Sequence, residues 1–115
     1  MENEHTFMML YRLTPNFEHR PTEEEQTKMQ QQWGKFIGTI ALKEKLVSTY
    51  RLGFEGKQIS SDSSVTDGIN VLESQVVSGN MVVKAHSLEE ATEIAQDCPI
   101  LLMGGTVEIR KVMPM

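Results

Sequence analysis

The stretch from Gly79 to Pro99, GNMVVKAHSLEEATEIAQDCP, constrains the fold of this 115-residue chain more than any other segment. From Met81 to His86, successive side chains would alternate between the two faces of a strand, and this period of two predicts a β-strand. The following SLEE has the S-x-x-E form of a capping box, in which the Ser87 hydroxyl accepts from a helical amide while Glu90 reaches back. A helix with an apolar stripe is therefore expected after Ser87, ending at Pro99. The stripe consists of Leu88, Ala91, Ala95 and Cys98.

The remaining elements follow from the same two kinds of signal, alternation for strands and capped 3.6-residue periodicity for helices. A capping box begins at Thr22, and the helix is expected to run to about Glu44 or Lys45. Its buried stripe is Met29, Trp33, Phe36, Ile37 and Ile40. Strands are predicted at residues 6–13, 46–52 and 106–112, with a short edge strand at residues 57–61.

This order of elements, β-α-β-(short β)-β-α-β, predicts an α+β fold of the ferredoxin-like, split βαβ type. The expected architecture is a four-stranded antiparallel sheet with two helices on one face, formed by a single domain over residues 1–115. The least regular region is residues 65–78. There, Asp67-Gly68 predicts a turn, and several apolar residues are expected to touch the core: Ile69, Val71, Leu72, Val76 and Val77.

Apolar residues also mark the sheet face that the helices leave open. Met8 and Leu10 in the first strand and Val82 in the third point to that face in the predicted sheet. A large exposed apolar face is unusual on a soluble monomer. We therefore expect a homodimer that packs sheet against sheet with twofold symmetry, as in a dimeric α+β barrel.

Composition excludes several classes of function. The formal charge of −5 and the lack of a basic run argue against nucleic-acid binding. No segment is apolar enough to predict a membrane span or signal peptide, and the single Cys98 suits a cytoplasmic location. No metal or cofactor is predicted, because the chain lacks C-x-x-C, H-x-x-x-H, P-loop and G-x-G-x-x-G patterns.

Three side chains are candidates for acid–base catalysis: Asp67, His86 and His19. Each also has a structural interpretation, Asp67 as a turn former, His86 as a turn residue and His19 as part of a polar loop. Three others are candidates for ligand binding: Arg51, Trp33 and Tyr11. An arginine on a strand can bind a carboxylate or phenolate, whereas Trp33 on an apolar helical stripe is typical of a core residue.

Two helical glycines, Gly34 and Gly38, lie one turn apart on the flank of the apolar stripe. Each costs about 1 kcal/mol relative to alanine in a helix. Close packing of another group against them is the favoured interpretation, and room for a ligand is the alternative.

The chain resembles the YCII-related family, particularly its DGPF-type branch, over nearly its whole length. The resemblance rests on MMLYRL, the Glu-rich helix start with Trp33 and Phe36, LVSTYRL, Val65-Thr66-Asp67-Gly68, MVVKAHSLEEATEIAQDCP and GGTVEIRKVMP. It implies a ferredoxin-like domain that dimerises into an α+β barrel. Ile69-Asn70 stands where the DGPF motif has Pro-Phe. The first helix has no His to match the His of the proposed His–Asp pair in the YCII branch.

Two functional hypotheses follow. The first is a dimer that holds a small apolar or aromatic ligand between helices and sheet, without established catalysis. The second, implied by relatives of the same fold, is a cofactor-independent isomerase, dehydrochlorinase or oxygenase acting on small aromatic or lactone-like substrates. In that case Asp67, His86 or His19 would be the acid or base, and Arg51 would bind the anion. A protein interaction module is a third interpretation.

Overall fold

A computed structural model describes residues 4–15 and 21–115 of the chain. The main sheet has four strands, β1 (His5–Leu13), β2 (Leu46–Arg51), β5 (Val76–Ala85) and β6 (Thr106–Lys111), in the order β2-β5-β1-β6. All neighbours are antiparallel. Each of the parallel pairs β1/β2 and β5/β6 is therefore split by a strand between its members, which confirms the predicted ferredoxin-like α+β fold.

The hydrophobic core lies between one face of this sheet and the two α-helices, α1 (Glu23–Leu42) and α2 (Leu88–Ala95). Alternate residues of β1 and β5 face it, so that Met9, Met81 and Val83 are fully shielded from solvent. The helices cover the core on the side opposite the sheet, through Phe36 and Ile40 of α1 and two alanines of α2. The predicted placement of both helices on one face of the sheet is confirmed.

The two predicted helix starts are confirmed, but both helices are shorter than expected. Thr22 and Glu25 form the reciprocal capping box of α1. The helix ends at Leu42 because Glu44 adopts a left-handed conformation, with φ of 59°, that turns the chain into β2. Ser87 caps α2. That helix ends at Ala95, and a 3₁₀ turn (Pro99–Met103) precedes β6.

The segment between β2 and β5 forms an arm, defined here as residues 52–75. It contains two short strands, β3 (Lys57–Ile59) and β4 (Val65–Asp67), that pair only with each other and form a separate sheet. The predicted core contacts of this segment are partly wrong, since Val71 and Leu72 are 59% and 56% exposed. A radius of gyration of 16.0 Å, against about 13 Å for a compact chain of this length, fits a projecting arm.

The open face, defined as the sheet face opposite the helices, is apolar at its centre and charged at its periphery. Met8, Leu10 and Val82 lie there and are half-buried within one chain. Tyr50 of β2 is 63% exposed on the same face. Glu108 and Arg110 of β6 follow at the edge. The predicted apolar second face is therefore present in the sheet.

The helical glycines do not pack closely against other atoms. A Cβ placed on Gly34 or Gly38 would meet no atom of the described residues within 4 Å. The expectation of close packing is therefore wrong as far as the described part of the chain is concerned. No helix in the described residues has the length and apolar character required to span a membrane.

Candidate functional site

A groove of about 350 Å³ lies where the arm joins the main sheet. We call it the arm-base groove. It combines apolar side chains with a few polar ones, which is the usual character of a small-molecule site. Its walls are formed by Arg12, Leu52, Gly53, Glu55, Ile69, Asn70, Leu72, Gln75 and Val77.

A β-bulge determines which side chains reach this groove. Tyr11 lies opposite Gly79, but the next residue of β1, Arg12, lies opposite Val77, so Ser78 is an extra residue in β5. A shift of one residue exchanges the two faces of a strand. Val77 therefore leaves the core side and joins Arg12 in the groove wall, whereas Val76 turns inwards and is 2% exposed.

Arg12 is the cationic group of the groove, and its hydrogen-bonding capacity is only partly used. A guanidinium nitrogen of Arg12 lies 3.5 Å from the Glu108 carboxylate, which is itself 51% exposed. The Arg12 Nε atom is shielded from solvent and has no hydrogen-bond partner among the described residues. An unpaired buried donor costs about 1–3 kcal/mol. The Arg12 side chain as a whole is 28% exposed, so the accessible part of its guanidinium is a candidate for ligand recognition.

Gln75 contributes a second polar group, and neighbouring residues orient it. The chain reverses at residues 72–75, where Leu72 and Gln75 exchange backbone hydrogen bonds of 2.9 Å. The Thr106 hydroxyl donates to the Gln75 side-chain oxygen at 3.2 Å. Because that oxygen is engaged, the amide NH₂ of Gln75, which lines the same groove as Arg12, remains as a donor.

The predicted ligand-binding residues lie on the other face of the sheet. The rings of Tyr11 and Trp33 are 5.5 Å apart, and Tyr11 is 3% exposed. Its hydroxyl contacts the Met9 sulfur at 3.9 Å, and burial, together with the neighbouring Cys98, raises the pKa of Tyr11 well above its usual value. Arg51 of β2 lies opposite Gly79 of β5, and Gly79 lies opposite Tyr11 of β1 on its other side. Arg51 is exposed.

The space between helices and sheet near these residues is filled by side chains of the core. Phe7, Phe36 and Ile100 are each less than 10% exposed there. Trp33 also packs edge-on against Phe36, with ring centroids 6.1 Å apart. The structure thus brings Tyr11 and Trp33 together, as part of the core rather than as the wall of a cleft.

The catalytic candidates do not converge within one chain. Asp67 lies on the arm, 87% exposed in its side chain, and its carboxylate accepts from the Lys57 ammonium at 2.6 Å. His86 follows the end of β5 that lies farther along the chain from the arm, and a strand of ten residues is about 30 Å long. His86 is exposed and lies beside Glu90. His19 lies outside the described residues. No group of three or more metal-ligating side chains occurs among the described residues.

Sequence reasoning missed Arg12 as a site residue. The available signal was an arginine within the otherwise apolar run MMLYRL, at a position that alternation assigns to the open face. The bulge and the return of the arm over this position had no comparable sequence signal, so the groove itself was not predictable.

A comparison with protein families confirms the resemblance drawn from the sequence. The model of the YCII-related domain matches residues 6–115. The match includes both α-helices, all strands of the main sheet and the arm, and it omits only His5 at the start of β1. A comparison with curated proteins finds no match.

Proposed function

The chain belongs to the YCII-related family, and on this premise we propose that it is a homodimer that binds a small apolar or aromatic molecule. The arm-base groove carries this proposal. It offers apolar walls from Leu52, Ile69, Leu72 and Val77, and a volume at the lower end of the range of small-molecule sites. The proposed position differs from the one expected from the sequence, because the space beneath the helices is occupied by the core.

The open face supports the proposed dimer. Met8, Leu10 and Val82 form its apolar centre, and burying apolar surface contributes about 25 cal/mol per Å². The arm-base groove lies at one end of this same face, since Arg12 and Val77 belong to it. A second copy on the open face would therefore border the groove, and the ligand would lie close to the interface. The cytoplasmic location stays a prediction.

The alternative of a cofactor-independent enzyme requires one of the candidate acids or bases to lie at the ligand site. Asp67 is paired with Lys57 on the arm surface, and His86 lies at the far end of β5. Neither residue lines the arm-base groove. We therefore place binding, not acid–base chemistry, in this groove.

Two glycines provide a matched test of the ligand site. Gly53 lines the groove and Gly34 does not, yet a Cβ at either position would meet no atom within 4 Å. The Gly53→Leu substitution should fill the groove without forcing the backbone, and Gly34→Leu serves as its control. The probes are phenol, indole and 2-naphthol, titrated into each protein and followed by NMR and thermal shift.

We expect at least one of these probes to bind the unsubstituted protein, to lose about tenfold or more in affinity with Gly53→Leu, and to bind the Gly34→Leu protein normally. A ligand in this groove would be contradicted if no probe binds the unsubstituted protein. It would also be contradicted if the probes bind the Gly53→Leu and Gly34→Leu proteins equally well. The dimer is tested separately by light scattering, where a mass of 13.0 kDa, that of one chain, at micromolar concentration would contradict it.

A further inference from the structure

We propose that the ligand of the arm-base groove carries a carboxylate beside its apolar body, and that Arg12 binds this carboxylate. The inference rests on the proposed function and adds the chemical class of the ligand. It follows from three features of the groove lining: a guanidinium with unpaired donors, an amide held by Thr106, and several apolar side chains.

The Arg12 guanidinium has more donors than the protein satisfies. Arginine presents five N–H groups in a planar fork that matches two carboxylate oxygens. The contact with Glu108 is 3.5 Å long and partly exposed to solvent, and Nε has no partner in the described part of the chain. Nε itself is shielded, but the Arg12 side chain is 28% exposed, so an oxyanion in the groove would accept from the accessible guanidinium N–H groups that Glu108 leaves unpaired.

Gln75 is positioned to assist. Thr106 lies directly opposite Arg12 in the β1/β6 register, and its hydroxyl holds the Gln75 side-chain oxygen. Gln75 lines the same groove as Arg12, and its NH₂ group is not used in the hydrogen bond with Thr106. A carboxylate that accepts from both groups would be fixed in orientation, with the rest of the molecule directed along the apolar wall.

The apolar wall limits what the carboxylate is attached to. Leu52 and Leu72 of the arm are 43% and 56% exposed, so they have surface available for burial against a ligand. A groove of about 350 Å³ fits a molecule with one or two rings or a short alkyl chain. Aryl and short-chain carboxylic acids are the ligand class that satisfies both requirements.

Two carboxylates of the protein would weaken the binding of an anionic ligand, so their removal tests whether the ligand is negatively charged. Glu55 lines the groove from the arm, and Glu108 competes for Arg12. Removing either negative charge should tighten the binding of an acid, because it removes repulsion or competition. A cationic ligand would show the opposite response, since it would lose an attractive partner.

The experiment compares acids with their neutral amides in the full chain: benzoate with benzamide, phenylacetate with phenylacetamide, and hexanoate with hexanamide. NMR titration gives the dissociation constants. We expect the acids to bind roughly tenfold or more tightly than the amides, Arg12→Gln to abolish this difference, and Glu55→Gln to strengthen acid binding. Lys35→Gln is the matched control for the loss of one positive charge, because Lys35 is exposed on α1, on the other side of the sheet from the groove and the open face.

The outcomes separate this inference from the proposed function. Equal binding of acids and amides, or tighter binding of amides, would overturn the carboxylate while leaving a ligand in the groove. Binding of neither series, together with failure of the Gly53→Leu test, would overturn both. If Arg12→Gln does not fold, the acid–amide ratio of the unsubstituted protein and the sign of the Glu55→Gln effect still decide the question.

Discussion

Replacing Gly34 by alanine should stabilise the protein, although glycines within structured elements are often kept for close packing. Gly34 lies in the interior of α1, and a Cβ there would meet no atom within 4 Å in residues 4–15 and 21–115. The methyl group would gain no packing, so the effect reduces to helix propensity, about 1 kcal/mol in favour of alanine. For a chain of 115 residues this corresponds to a rise in Tm of about 4 °C.

The measurement is urea unfolding at two protein concentrations, followed by far-UV circular dichroism and by the fluorescence of Trp33, the only tryptophan. The control is the same substitution at Gly105. There a Cβ would lie 2.6 Å from the Arg12 carbonyl oxygen and 2.7 Å from a side-chain carbon of Ile100. Overpacking of this kind typically costs about 1–3 kcal/mol, so Gly105→Ala should lower the urea midpoint.

A lower urea midpoint for Gly34→Ala would refute the reasoning. It would mean that another group packs against the Gly34 position in solution. If that loss grew with protein concentration, the group would belong to a second copy of the chain. If it did not, the group would belong to the same chain. A matching loss for Gly34→Ala and Gly105→Ala would remove the distinction between open and crowded glycines.

Two further predictions concern local interactions. The Lys45 ammonium donates to the Glu90 carboxylate at 2.5 Å, and this hydrogen bond lowers the pKa of Glu90 and raises that of Lys45. A lowered carboxylate pKa stabilises the fold above the ordinary value of 4.5 and loses this effect as the pH falls through the folded-state value. Glu90→Gln should therefore lower the free energy of unfolding by about 1 kcal/mol at pH 7, and by progressively less below pH 4.5. Urea unfolding at a series of pH values measures this loss. A loss that does not depend on pH would contradict the ion pair. In the turn at residues 72–75, Glu73 and Ser74 have φ of 53° and 66°, a conformation that favours glycine. Ser74→Gly should therefore raise the free energy of unfolding by about 0.5–1 kcal/mol in the same assay. A decrease would contradict positive φ at Ser74.

Local signals in the sequence were sufficient to predict the fold. Thr22 and Ser87 begin their helices as expected, because N-capping depends only on residues within one helical turn. Alternation in residues 81–85 predicted the core face of β5, because strand periodicity is a local property. The order of these elements was then enough to select the ferredoxin-like arrangement.

Contacts between distant residues were not predictable in the same way. Glu90 was expected to complete its own capping box, yet it pairs with Lys45, which lies 45 residues earlier and reaches it only in the folded chain. The arm was expected to contribute Val71 and Leu72 to the core. Its two strands pair with each other instead, and no pattern within so short a segment reveals which partner a strand will choose.

By itself, the sequence determined the strands, the helix starts and the apolar character of both sheet faces, since each depends on neighbours a few residues away. Only the tertiary structure decided which side chains form the arm-base groove. Unbroken alternation through β5 would turn Val77 towards the core and Val76 away from it. The bulge at Ser78 reverses both, because strand pairing with β1 at Tyr11 and Arg12 imposes the register, and a register is a property of two strands rather than of one.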